Sequence, residues 1–237
     1  MLQISVAEKH CVKQPENANT AGSTSPKPNK FLRVISGAQT LKSAKLTPRR
    51  PKNAEVRTRE YLTKAEVDSL IKAARETGRQ GLRDGLLILM AYRHGLRVSE
   101  LAGLKWEQVC FAEGLLHVSR AKNGTAATHP IEGDELRLLR QLQRKTDASL
   151  FVFLSERRAP LSSRAVQTIV ARAGQIAGIP FPVHPHMLRH STGFALANSG
   201  ADTRSIQGYL GHKNIQNTVG YTALAPNRFK SFGAMLK

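Results

Sequence analysis

The sequence predicts one mostly α-helical domain with a small antiparallel β-sheet, an α+β fold, over residues 58–225. Three observations lead there. Apolar residues recur at helical spacing, behind helix-start residues and ahead of glycines. Three short β-prone runs lie close together, two of them joined through an Asn-Gly turn. The chain of 237 residues, 41% hydrophobic, has room for one good core and carries no internal repeat.

The elements follow in order. Thr63-Lys64-Ala65-Glu66 is a capping box, in which hydroxyl and carboxylate can each satisfy an orphan N–H of the other's residue. Val67, Leu70, Ile71 and Ala74 continue at helical spacing, and Gly78 closes that helix. Leu82–His94 is more apolar, so it reads as a buried helix ended by Gly95. A short helix starts near Ser99. Strands are expected at Gln108–Phe111, Leu115–Ser119 and Ala127–Ile131, with Lys122-Asn123-Gly124 turning the last hairpin. Glu132–Lys145 is a helix and Leu150–Leu154 a short extended piece. Ser162 or Ser163 caps a helix to about Ala177. Pro185–Ser199 is another, stopped by Gly200. Asp202 caps the next, which ends before Gly211, and a last short helix carries Asn214 to Tyr221.

Charge points to the partner. Lys and Arg number 36 against 17 Asp and Glu, a net +19, and the isoelectric point is near 10.6. Such an excess implies a polyanion, most simply nucleic acid, and a steep loss of affinity with salt. No basic amphipathic helix with an aromatic face stands out, and the longest apolar run, Leu86–Tyr92, is far short of the ~20 residues of a membrane span. Residues 1–57 read as a basic, mostly disordered N-terminal arm, with eleven Lys or Arg against three acids and five prolines. Cys11 and Cys110 fit no zinc motif or disulfide framework, and Met1-Leu2-Gln3-Ile4-Ser5 opens no signal peptide; a cytoplasmic protein is expected.

Breaking a phosphodiester without a metal requires charge neutralisation on the non-bridging oxygens, a nucleophile, and a proton for the leaving 5′ oxygen. Arginine suits the first task, because its guanidinium donates bidentate hydrogen bonds and stays charged. Arg97, in Gly-Leu-Arg-Val-Ser-Glu-Leu, and Arg189, in His186-Met187-Leu188-Arg189-His190, come from different helices and can clamp one phosphate from two sides. Tyrosine suits the second, and Tyr221 follows His212 by nine residues. Lysine on a hairpin tip suits the third, and Lys122 occupies such a tip. His186 and His212 can donate to phosphoryl oxygens or relay the tyrosine proton. Read one at a time these residues are ordinary: a helix-end arginine, a turn lysine, a core tyrosine. His184, His186 and His190 suggest a metal cluster, but Pro185 interrupts them and no acidic or Cys ligand lies near, so neither metal nor cofactor is expected. His190 reads as a structural histidine or phosphate contact, outside the catalytic set. Tyr209 and Trp106 read as core.

The joint pattern resembles the tyrosine recombinase, or phage integrase, family over its catalytic domain. The matching residues are Arg97, Lys122, His186, Arg189, His212 and Tyr221, with 23 residues from Arg189 to His212. The wording from His184 to Ser191 and from Gly193 to Asn198 is most similar to the short invertases that flip fimbrial promoter switches. The resemblance implies that Tyr221 forms a 3′-phosphotyrosyl link and frees a 5′ hydroxyl, which attacks the partner duplex. It implies a homotetramer on paired duplex DNA sites, with accessory DNA-bending proteins in some systems, and no ATP or metal. Glu100, three residues from Arg97, is implied as that arginine's support. The family's separate helical DNA-binding domain is not expected in residues 1–57, and the short fimbrial invertases lack it as well. The tail 226–237 either covers its own domain or docks on a neighbouring protomer. A DNA-binding protein without catalysis and a supercoil-relaxing enzyme of the same chemistry remain open. So do inversion, integration and excision.

Overall fold

The structure is a computed structural model describing residues 59–120, 125–146, 149–225 and 229. The expected arm 1–57, Lys122, and the tail 226–237 apart from Phe229 lie outside the described residues. Every described residue belongs to the unit Arg50–Lys237.

In chain order the elements are α1 (Lys64–Glu76), α2 (Gly81–Arg93), α3 (Val98–Ala102), a 3₁₀ turn (Trp106–Gln108), β1 (Val109–Cys110), β2 (Leu115–Val118), β3 (Ala127–Pro130), α4 (Gly133–Lys145), α5 (Ser163–Ile176), α6 (Pro185–Asn198), α7 (Thr203–Leu210) and α8 (Gln216–Leu224). The mostly helical expectation with a small sheet holds: the three strands are antiparallel in the order β1-β2-β3, with Leu116 opposite Val109 on one side and His129 on the other.

Local chemistry explains the helix starts. Thr63 Oγ1 accepts from the Glu66 N–H at 3.3 Å, and Glu66 Oε2 accepts from the Thr63 N–H at 2.8 Å. Asp202 Oδ1 accepts from the N–H groups of Arg204 and Ser205 at 2.8 and 3.0 Å. The apolar reading of α2 is also correct, since Leu86 through Ala91 are all buried. That helix lies against α1, α4 and α6 and forms the spine of the main core.

The short extended piece expected at 150–154 makes single bridges, Lys105 to Phe151 and Leu154 to Pro160. Two expectations change. The segment before β1 winds into the 3₁₀ turn, leaving β1 two residues long. The last helix begins at Gln216, because Asn214 Oδ1 accepts from the Gln216 N–H at 2.9 Å and acts before the first turn, and it runs on to Leu224. A second, smaller core of Ala197, Ile206, Leu210, Tyr221 and Ala225 joins α6, α7 and α8. Among the described residues no helix is long and apolar enough to cross a membrane.

Candidate active site

The residues singled out by the sequence come from four elements, and each is aimed by identifiable contacts. Arg97 caps α3. Its own N–H donates to Glu100 Oε2 at 2.9 Å, its Nη1 donates to Glu100 Oε1 at 2.7 Å, and its Nη2 reaches the Gly211 carbonyl at 3.4 Å. Glu100 is almost wholly buried, while Arg97 keeps about a quarter of its side chain exposed. Arg189, on α6, is 1% exposed. Its Nη1 donates to the Gly95 carbonyl and its Nη2 to the Leu210 carbonyl at 2.6 Å. Gly95 and Gly211 make these contacts possible. Both have left-handed φ angles, 56° and 64°, which glycine adopts without steric cost. A Cβ on Gly95 would lie 2.5 Å from Leu210, and one on Gly211 2.8 Å from Arg120.

Tyr221 sits on α8 with only 6% of its surface exposed. Its ring lies against Gly193 of α6, where a Cβ would come within 2.6 Å, and meets Phe194 edge-on at 5.3 Å. Its hydroxyl contacts His190 Nδ1 at 2.8 Å. His212, just past the end of α7, has its Nδ1 2.9 Å from the buried Thr218 hydroxyl. His186, on the first turn of α6, is exposed. Arg97, His186, Arg189, His190, His212, Asn217 and Tyr221 line one cavity of about 330 Å³.

Charge in this cavity is one-sided. Burial and the positive charges of Arg97 and Arg120 bring the Arg189 guanidinium down to about 10, still cationic at neutral pH. Burial, then the arginines, push His212 down to about 4. Partial enclosure, then Arg189 and Arg97, hold His186 below its usual range. Burial raises the Tyr221 phenol, against the opposing pull of Arg189. A negatively charged group brought here reverses the arginine contribution and favours protonated imidazoles.

Five of the six residues singled out as catalytic share this cavity; Lys122 lies outside the described residues. Glu100 stands behind Arg97 and serves a second arginine as well. Arg120, two residues past the end of β2, donates from Nη1 to Glu100 Oε2 at 3.1 Å and from Nη2 to the Tyr209 carbonyl, with its side chain fully buried. His129 on β3 is 3.4 Å from Arg120 Nη2 and 3.3 Å from His94 Nδ1, and His94 Nε2 lies 3.4 Å from the buried Glu135 carboxylate. Sequence reading missed Arg120 and Asn217, and it placed His190 outside the catalytic set, as a structural histidine or phosphate contact. The spacing of His190 from His186, one helical turn on the same face, was the available signal for the histidine. Arg120 and Asn217 carried none.

Comparison with known proteins gives one consistent answer. Residues 60–228 match the phage integrase family. The type 1 fimbriae regulatory protein FimB of Escherichia coli (strain K12) is 42% identical over 181 residues, covering 74% of this chain and 90% of its own length. The tyrosine recombinase XerA of Pyrococcus furiosus is 36% identical over 205 residues, 85% of this chain and 67% of that protein. Among solved structures, XerA recombinase superposes with a TM-score of 0.64 at 26% identity, over 75% of this chain and 65% of that chain. A lambda integrase (75–356) dimer bound to a COC′ core site gives a TM-score of 0.55 at 26% identity, over 66% and 59%. This chain therefore spans slightly less than two thirds of either solved chain.

Proposed function

Since this chain belongs to the phage integrase family, we propose that it is a site-specific tyrosine recombinase that cuts and rejoins duplex DNA through a 3′-phosphotyrosyl intermediate on Tyr221. The observation that carries the reading is the convergence of Arg97, Arg189, His186 and His212 on the cavity that holds Tyr221. In the proposed reaction the two arginines and two histidines stabilise charge on the non-bridging oxygens. Tyr221 attacks phosphorus, and the P–O5′ bond breaks. Lys122 protonates the departing oxygen. Glu100 positions Arg97 and ties it to Arg120. Attack of a 5′ hydroxyl from the partner duplex reverses each step, so bond energy is conserved and no ATP is consumed.

Duplex DNA is the proposed substrate, supported by net charge +19 and by the DNA-bound lambda integrase of similar fold. A DNA substrate implies work in the cytoplasm. A homotetramer on two sites is the proposed assembly, with accessory DNA-bending proteins where the sites require them. Residues 58–225 form the proposed catalytic domain, with 1–57 as a basic arm tracking the backbone. The relatives named as fimbriae regulators make inversion the outcome to test before integration or excision.

The experiment is a nicked suicide substrate incubated in EDTA with wild type and Tyr221→Phe, followed by denaturing electrophoresis. The expected result is a covalent protein–DNA adduct from wild type alone, with a free 5′ hydroxyl on the other product. Adduct from both proteins, or none from a wild type that shifts the same DNA, overturns the assignment.

A further inference from the structure

Attack by Tyr221 must release the phenolic proton, for which the sequence offered His186 or His212 as relays, yet the residue at its hydroxyl is a third histidine. His190 meets the hydroxyl at 2.8 Å through Nδ1. His212 is held differently: its Nδ1 is 2.9 Å from the Thr218 hydroxyl, and its ring is stacked alongside that of Tyr221 with centroids 6.3 Å apart. The nucleophile is seated on α6 by three residues of that helix. Gly193 lies under the ring, Phe194 meets its edge, and His190, one turn back, meets the oxygen. A hydroxyl at hydrogen-bond distance from an imidazole, on a ring fixed by packing, is the arrangement in which a proton can pass at the moment of attack.

Building on the recombinase reading, we infer that His190 is a catalytic residue that receives the Tyr221 phenolic proton during attack and returns it during religation. As Tyr221 Oη bonds to phosphorus and P–O5′ breaks, the phenolic proton moves to His190 Nδ1. The 5′ oxygen takes its own proton from Lys122. Religation reverses both transfers, so the protein ends each cycle with its protons where they began. The transfer requires Nδ1 to be the acceptor, with the hydrogen of neutral His190 on Nε2.

The surroundings support this. Burial, then His186, bring the His190 imidazole down to about 4, so it is neutral at physiological pH and has a lone pair to offer. The charged and titratable groups around it are His186 and Arg189 on its own helix, His184 just before, Glu60 ahead of α1, and Tyr221 on α8. Transfer in advance of attack is uphill from a phenol already raised by burial. It therefore accompanies formation of the O–P bond, which withdraws electrons from the oxygen and makes its proton acidic.

The test uses His190→Ala and His190→Asn in the full chain, with gel shifts to establish DNA binding. Two nicked substrates are compared, one ordinary and one with sulfur in place of the scissile 5′ oxygen, a leaving group that needs no acid. His190→Ala should cleave both substrates about a hundredfold or more slowly, whereas Lys122→Ala should recover on the sulfur substrate. His190→Asn presents an oxygen near the Nδ1 position, so it can hold Tyr221 but cannot take its proton, and it should stay slow. A wild-type rate from His190→Asn would reduce His190 to a positioning role and overturn the inference. Recovery of His190→Ala on the sulfur substrate would also overturn it, by moving the residue to the leaving-group side. Wild type needs no variant: its rate on the sulfur substrate should fall on acidification as an imidazole protonates, and a pH-independent rate counts against the inference. Failure of wild type to form adduct on either substrate is a different result, and it sinks the recombinase reading itself.

Discussion

Gly193→Ala should disable Tyr221, the proposed nucleophile, while leaving the fold standing. An added Cβ would lie 2.6, 2.6 and 2.8 Å from Cδ2, Cε2 and Cζ of Tyr221. Carbon atoms in contact normally sit about 3.5–4.0 Å apart, so the ring must retreat by roughly 1 Å. Two stability effects then oppose each other. Overpacking costs about 1–3 kcal/mol, while replacing a helix-interior glycine by alanine gains about 1 kcal/mol. The net loss stays within about 2 kcal/mol, which a folded domain tolerates. The chemistry is less forgiving. A displacement of about 1 Å at a reacting group costs on the order of a hundredfold in rate, and the hydroxyl also leaves its 2.8 Å contact with His190. The assay is single-turnover cleavage of the nicked substrate at saturating protein, with a denaturant melt and a gel shift alongside. Cleavage should fall about a hundredfold, with DNA affinity nearly unchanged because backbone phosphate contacts dominate it. Wild-type cleavage by Gly193→Ala, or an affinity loss as large as the rate loss, would refute the claim that this glycine exists to seat Tyr221.

Two further outcomes follow from the same contacts. Glu100→Gln removes the carboxylate from a fully buried Arg120 and should destabilise the domain by about 3–5 kcal/mol, read by urea denaturation; a loss below about 1 kcal/mol would show that the Tyr209 carbonyl suffices for Arg120. The depressed histidines make stability depend on acid: His190 and His212 lie at about 4 and His129 at about 3, against an unfolded value near 6.5. Between about pH 6.5 and 4 the unfolded chain binds protons that the folded chain refuses, so stability should fall on acidification by up to about 1.4 kcal/mol per pH unit for each such histidine. Above pH 6.5 these groups contribute no slope, and a stability that holds constant from 6.5 to 4.5 would contradict the burial of these rings.

How much was legible in the sequence depended on the range of the interaction. Thr63 and Glu66 declare a helix start because both halves of the motif lie within four residues. Gly95 and Gly211 declare helix ends because a left-handed residue after the last turn is a local requirement. Tyr221, His212 and Arg189 were found as a set whose spacing is fixed by two consecutive short helices. The two misread boundaries share a cause: the length of β1 and the start of α8 depend on partners outside the local pattern. Residues 150–154 read correctly as a short extended piece, and the pairs available, Lys105 with Phe151 and Leu154 with Pro160, extend to one bridge each. The support of the site was hidden for the same reason. Arg120 bonds Glu100, 20 residues back, and Tyr209, 89 residues on, and no periodicity joins such positions. His190 was visible but was read as a structural histidine or phosphate contact. Its role is decided by Tyr221, 31 residues away.

The way the arginines are held bears on how the site treats a phosphate. A buried guanidinium needs acceptors, and a carboxylate is the strongest available, but it would cancel the charge that the reaction requires. Arg189, the most buried of the three, is instead held by two carbonyls, those of Gly95 and Leu210. Both lie at helix C-termini, of α2 and α7, where unpaired carbonyls and the aligned peptide dipoles supply about half a negative charge. Such acceptors orient the guanidinium and offset part of its desolvation without neutralising it. The carboxylate in this network, Glu100, sits at the back, shared between Arg97 and Arg120. Two arginines on one carboxylate leave a surplus of one charge, and Arg189 adds another. The surplus faces the cavity, and it adds to burial in depressing the histidines that line the same wall. A phosphodiester entering there meets two uncompensated positive charges and imidazoles whose protonation its own charge promotes. The fold thus aims its electrostatics at an anion through two glycine-ended helices, and substitutions at Gly95 or Gly211 should act on cleavage through Arg189 and Arg97 rather than through the helices they end.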